Sequence, residues 1–221
     1  QIFIDNMEPI LESGKDVIYL AFSSGLSTTY NSAMAATQEL APKYPDRKIY
    51  VVDTLSASLG QGLLVYLAVQ YKEKGHTIDE VREYVESTKL NICHWFTVDD
   101  LNHLKRGGRV SATTAIIGTA LSIKPVMHVD NEGHLLKVEV ARGRKKSLKA
   151  LVDRMEATAT NPEEQTVFIS HGDCEEDAKY VADMIKERFG TKEFKINFVG
   201  PVIGTHSGPG TIALFFVGNE R

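Results

Sequence analysis

Short apolar runs alternate with longer stretches of helical periodicity along the first part of the chain, and this order predicts strand–helix units of an α/β architecture. Residues 6–14 read as the end of a helix closed by glycine, 16–22 as a buried strand, and the alanine-rich segment 30–40 as the helix that follows. A second unit repeats the order, with strand 48–53, turn 54–58 and an apolar helix 59–74 stopped by Gly75. Thr77 and Glu80 predict a capping box for a polar helix running to about Lys89, its charges forming a solvated face. Two parallel strands make a sheet too small to be stable alone, so further strands are expected from residues upstream of Gln1.

From Cys93 the pattern changes. Residues 94–98 predict a strand, Asp99 or Asp100 caps a short helix ending at Lys105 and Arg106, and Gly107 and Gly108 stop it ahead of Arg109. A helix of small residues is expected over 112–121. Pro125 then opens extended pieces, 126–130 and 134–141, paired through a turn at 131–133. A basic run over 142–149 starts an amphipathic helix to about Ala157; a solvated helix start is the simplest account of it, and a patch for an acidic partner the alternative. Strand 167–171, a helix 175–189 capped by Asp173 and ended by Gly190, and a closing pair of strands at 194–199 and 212–217 complete the chain. The expectation is a two-domain α/β fold: residues 1–90 in a parallel-sheet α/β/α domain whose front strands are missing, and 91–221 in an α+β domain with a mixed, partly antiparallel sheet.

Composition narrows the class. With 221 residues and 43% hydrophobic content the chain can build a substantial core, and a net charge of −4 gives it no general attraction for nucleic acid or anionic membranes. Its apolar runs, such as 62–69, are far too short to span a bilayer, so no stable membrane insertion is expected. Cys93 and Cys174 have neither zinc nor disulfide spacing and fit ordinary thiols in a reducing, cytoplasmic setting. The seven histidines form no helical ligand pair, so no metal site is expected.

Two stretches carry candidate chemistry. Residues 200–210 hold six glycines or prolines around Thr205, His206 and Ser207, a shaped connection suited to an anion, or else a tight hairpin with a surface histidine. Residues 23–29 place five hydroxyl side chains, among them Ser24, Ser27 and Thr29, at a strand-to-helix turn, more than N-capping needs. There the unpaired N–H groups and the helix dipole favour a carboxylate or phosphate. Gly60 and Gly62 lack the third glycine of a dinucleotide fingerprint and read as close helix packing. A serine esterase using Ser27 and His206 lacks the nucleophile-elbow motif, and a phosphotransfer enzyme lacks a lysine-bearing phosphate loop, although Asp53, Asp99 and Asp100 are available for magnesium. The remaining reading is a polar clamp of helix-start hydroxyls, His206 and Arg109 for one anionic head group. Residues 113–121 and 212–216 are candidates to line an apolar tail.

Five motifs in order, Ser-Ser-Gly-Leu-Ser at 23–27, Val-Asp-Asp-Leu at 98–101, Gly-Gly-Arg-Val-Ser at 107–111, Ile-Lys-Pro at 123–125 and Ile-Gly-Thr-His-Ser-Gly-Pro-Gly at 203–210, resemble the DegV family of bacterial fatty-acid-binding proteins. The resemblance implies a carrier rather than an enzyme, with no cofactor, holding a long-chain fatty acid such as palmitate, stearate or oleate between two domains. It implies that Ser27 grips the carboxylate, that His206 lies near the head group, and that Arg109 and His206 serve phosphorylation of the acid by a separate fatty acid kinase. Thr28 departs from the glycine that many relatives carry there. A further departure is the lack of the family's Thr-Ser-Gln-Pro motif, which precedes this region in relatives.

Overall fold

The computed structural model describes residues 1–111 and 123–221; the helix expected over 112–121 lies outside the described residues. The first part folds as α1 (Ile2–Glu12), β1 (Val17–Ala21), α2 (Thr29–Leu40), β2 (Ile49–Asp53), α3 (Ser58–Glu73) and α4 (Ile78–Thr88). β1 and β2 pair in parallel with Val17 opposite Ile49, a two-stranded sheet joined through the crossover helix α2. The capping box forms as read: the Glu80 backbone N–H donates to Thr77 Oγ1 at 3.4 Å, and the Glu80 carboxylate accepts from the Thr77 backbone at 2.7 Å.

The second part comprises β3 (Ile92–Thr97), α5 (Leu101–Arg106), β4 (Ile123–Val129), β5 (Leu135–Arg142), α6 (Arg144–Thr158), β6 (Thr166–His171), α7 (Glu175–Phe189), β7 (Glu193–Phe198), α8 (Pro201–Ser207) and β8 (Ile212–Val217). Its sheet has the order β5-β4-β3-β8-β6-β7, antiparallel except for the parallel β6–β7 pair across α7. The chain is therefore α/β, with a mixed sheet after a small parallel one, as its sequence pattern predicts. Pro125 fits inside β4 because β3 pairs only as far as Val126, so no ladder bond from β3 is lost at the proline.

Three details differ from the sequence reading. The last two strands are not neighbours, since β6 lies between β7 and β8. Their connection is no hairpin: residues 201–207 close into α8, with Pro201 in its first turn and Gly208 following at φ +78°. At α7 the N-cap position belongs to Cys174, without a side-chain bond, and Asp173 precedes it at φ +53°.

Alternation along the strands sorts side chains between two cores. On one face Ile92, Phe96, Phe168, Ala213 and Phe215 pack with Leu63 and Leu64 of α3 and Val81 and Val85 of α4. On the other, Cys93, Trp95, Ile169, Leu214 and Phe216 pack under Leu148, Leu151 and Met155 of α6 and Val181 and Ile185 of α7. A third, smaller cluster joins Met7, Leu11 and Leu40 over the parallel pair. Arg221 locks the turn ahead of α3 to the sheet: its guanidinium donates to the carbonyls of Leu55 (2.6 Å) and Ile92 (3.1 Å).

Candidate functional site

A cavity of about 370 Å³ opens on the α3 face of the six-stranded sheet. Residues 22–29, the start of α3, β3, α5 and its following turn, β6, α8 and β8 all contribute to its wall. The glycine-rich segment thus takes part as a helix, with the exposed Pro201 and Val202 and the half-buried Ile203 facing the cavity from its outer side.

The turn at 23–29 is held from both parts of the chain. Ser23, fully buried, donates from Oγ to the Gly133 carbonyl at 2.9 Å, which docks the β4–β5 turn on this loop. Ser24 N–H donates to Asp53 at 3.1 Å, at the end of β2. Ser27 Oγ and Thr29 Oγ1 share a hydrogen bond of 2.8 Å, and Thr29 N–H donates to Ser27 Oγ at 3.2 Å. The two hydroxyls sit at the positive end of α2, which places donors where an anion is favoured.

Arg109 closes the site from the other side. It donates through Nη2 to the Leu26 carbonyl at 3.0 Å and through Nη1 to the Gly107 carbonyl, so the turn after α5 is bolted to the hydroxyl loop. Among the described residues its two hydrogen bonds go to backbone carbonyls, and a guanidinium carries five N–H donors suited to a carboxylate or phosphate. His206, in the last turn of α8, lies against Gly107, where a Cβ would collide with its ring. Glycine at 107 is therefore what lets α5 and α8 bring Arg109 and His206 to one cavity.

Four of the residues singled out in the sequence, Ser27, Thr29, Arg109 and His206, line this cavity together. Ser24 and Thr205 do not: both are exposed, and Thr205 Oγ1 donates back to the Pro201 carbonyl at 2.8 Å. The apolar wall comes from Phe22, Leu26, Phe96, Leu104, Ala213 and Phe215, among others. Of the candidate lining 113–121 and 212–216, the first lies outside the described residues, and Ala213 and Phe215 of the second face the cavity. Gly60 packs against the His94 ring as a close approach of helix to sheet. The basic run divides, with Lys145 and Lys146 exposed and Arg144 bound to Asp177 at 2.8 Å. Ser207, named with His206 in the sequence, lines the cavity as well, and so do Ser58, His94 and Ser170, which were not singled out; a histidine inside the otherwise buried β3 was the available signal.

Ser27 Oγ has Thr29 for its partner, not His206. Among the described residues no three His, Cys, Asp or Glu side chains gather to hold a metal, and no helix is long and apolar enough to cross a membrane.

Comparison with known proteins gives a consistent result. The family profile described as "Uncharacterised protein, DegV family" matches residues 1–219. A DegV domain-containing protein of Clostridium perfringens is 52% identical over 219 residues, 99% of this chain and 75% of that protein. A DegV lipid-binding protein from Thermotoga maritima superposes with a TM-score of 0.83 at 32% identity, covering 99% of this chain and 75% of that one. A fatty-acid-binding DegV protein from Thermus thermophilus superposes with a TM-score of 0.85 at 30% identity, over 98% and 75% of the two chains.

Proposed function

The chain belongs to the DegV family, and from that premise we propose that it binds a long-chain fatty acid such as palmitate, stearate or oleate, as a carrier without a cofactor. The carboxylate lies among Ser27, Thr29, Arg109 and His206, and the acyl chain runs along the apolar wall that includes Phe96, Ala213 and Phe215. The observation that carries this reading is the division of one cavity: two hydroxyls at a helix start and an arginine facing them, continuous with an aliphatic and aromatic lining. A volume of about 370 Å³ suits a small amphiphile, within the roughly 300–1,000 Å³ typical of ligand pockets.

The carrier presents its acid in the cytoplasm to a separate ATP-dependent kinase. Arg109 and His206 support this step because they stand where a phosphate joining the carboxylate would need a cation and a donor. We read residues 1–90 and 91–221 as two units with the ligand between them, since the cavity wall draws on both.

Mass spectrometry of lipid extracted from the purified protein is the direct test. A co-purified fatty acid is expected, and a protein that carries none and does not bind added palmitate would overturn the reading. Incubation with ATP and fatty acid separates carrier from enzyme: ATP turnover by this chain alone would favour a phosphotransfer enzyme, and turnover only with an added kinase is expected.

A further inference from the structure

Two residues in the connection from β2 into α3 stand in a backbone region that side chains disfavour. Leu55 has φ +50° and Ser58 φ +53°, and neither is a glycine. A turn of this kind keeps its shape only where its surroundings hold it there. Ala57 and Ser58 line the cavity, so the strained turn is also a piece of the cavity wall.

Arg221 supplies much of the hold. Its Nη1 donates to the carbonyls of Leu55 at 2.6 Å and Asp130 at 3.1 Å, its Nη2 to Ser56 Oγ at 3.2 Å and the Lys89 carbonyl at 2.6 Å, and its Nε to the Ile92 carbonyl at 3.1 Å. These bonds occupy all five N–H donors of the guanidinium. Burial lowers its pKa to about 10, so the group is still charged at neutral pH and each bond is charge-assisted. One side chain thereby joins the turn ahead of α3, the start of β3 and the β4–β5 turn.

Both turns that Arg221 holds bear on the hydroxyl loop. Ser23 N–H donates to the Ser56 carbonyl at 3.0 Å, and Ser23 Oγ donates to the Gly133 carbonyl at 2.9 Å. Gly133 N–H donates at 3.0 Å to the same Asp130 carbonyl that accepts from Arg221. Ser27 N–H donates to the Ser23 carbonyl at 3.1 Å, so a short run of bonds leads from the guanidinium through Ser56 and Ser23 to Ser27.

Resting on the fatty-acid reading, we infer that Arg221 is a positioning residue for ligand binding: it keeps the 54–58 turn and Ser23 in the arrangement that puts Ala57 and Ser58 on the cavity wall and Ser27 at its polar end. Arg221 itself does not border the cavity. Without this clip the turn relaxes in a share of the molecules, and the apparent affinity falls with the fraction that still has the wall in place.

The test is titration of stearate into the wild-type protein, Arg221→Ala and Arg221→Lys, at a temperature where circular dichroism shows each fully folded. Arg221→Ala is expected to bind about tenfold more weakly, the factor that release of one left-handed residue carries. Arg221→Lys keeps the charge but loses the planar fork of donors, so it is expected to lose nearly as much, and it carries the same prediction if Arg221→Ala fails to fold. Adding Leu55→Gly to either variant removes backbone strain, since glycine takes a positive φ freely, and is expected to restore part of the lost affinity. A lower melting temperature with unchanged stearate affinity would overturn the inference and leave Arg221 a residue of stability alone, as would a loss that Leu55→Gly leaves in place. Wild-type protein that binds no stearate would instead refute the fatty-acid reading.

Discussion

The two faces of the six-stranded sheet are built from alternate residues of the same strands, yet only one of them is filled. Under α6 and α7, Cys93, Trp95, Ile169, Leu214 and Phe216 meet a continuous helical cover. Under α3, His94, Phe96, Ser170, Ala213 and Phe215 instead border a cavity. The difference lies in side-chain size and cover. Ala213 leaves room, α3 approaches the sheet closely through Gly60 with a serine ahead of it in its first turn, and short elements, α5 and α8, complete the wall where a long helix would have closed it. One strand pattern thus supplies a structural core and a ligand cavity, with a single residue step deciding which side chain serves which.

Adjacent phenylalanines of β8 provide the sharpest way to break this comparison. Phe216 is fully buried on the closed face, and its replacement by alanine should cost about 3–5 kcal/mol in chemical denaturation, since the packed surroundings cannot collapse into the void. Phe215, 3% exposed, borders space that is already empty. Phe215→Ala should cost clearly less stability and shift the preferred acyl length. Equal losses at the two positions would mean that the faces do not differ in packing.

The next largest effect is expected at the head-group end. Arg109→Ala removes a charge-assisted donor worth about 1.5–3 kcal/mol, so fatty-acid affinity should fall roughly ten- to hundredfold. A fatty acid methyl ester, which carries no charge, should bind the two proteins alike. Isothermal titration with both ligands makes the check, and an equal loss for acid and ester would show that Arg109 shapes the loop rather than meeting a carboxylate.

Local periodicity made most of this fold legible. The β1–α2–β2 unit, the capping box at Thr77 and the β4–β5 turn all depend on residues close in sequence, and all formed as expected. The segment 200–210 was misread because its glycines and prolines suggest a turn, although a proline in a first helical turn and a glycine after the last are also the marks of a short helix. The insertion of β6 between β7 and β8 depends on long-range pairing that no local pattern encodes. At the site, hydroxyls and charges at motif positions pointed to Ser27, Thr29, Arg109 and His206. Ser24 and Thr205 belong to the same motifs, but backbone geometry turns them outward, and motif spacing cannot tell the two outcomes apart.

His94 should distinguish the two faces through pH. Burial depresses its pKa well below 6.5 in the folded protein, so below about pH 6.5 the unfolded chain takes up a proton that the native ring refuses. Stability is complete above that pH and falls as the pH drops toward the folded value, by up to about 1.4 kcal/mol per pH unit for this one group. His128, whose pKa burial also lowers, adds a second loss of the same sign. Denaturation midpoints of His94→Phe should therefore decline less steeply than those of the wild-type protein between neutral and mildly acid pH. Parallel slopes would mean that the ring is protonated in the native state.

The smallest expected effect lies in the thiols, which test how completely the closed face is closed. Cys93 sits on β3 one residue before His94, on the opposite side of the sheet, and burial pushes its thiol up to about 12. At pH 8 only roughly one in ten thousand of these groups is the reactive thiolate. Cys174 stands half-buried at the start of α7, where burial also raises its pKa but the nearby Arg144 opposes the shift. A thiol reagent added at pH 8 should label Cys174 slowly in the native protein and reach Cys93 only when the chain unfolds, so labelling of Cys93 reports opening of the α6–α7 cover. Saturating fatty acid should slow that labelling, because binding stabilises the native state relative to every opened form. Labelling of Cys93 at the native rate of Cys174 would show that the closed face breathes as freely as the surface, and the contrast between the two sides of β3 would then rest on shape alone.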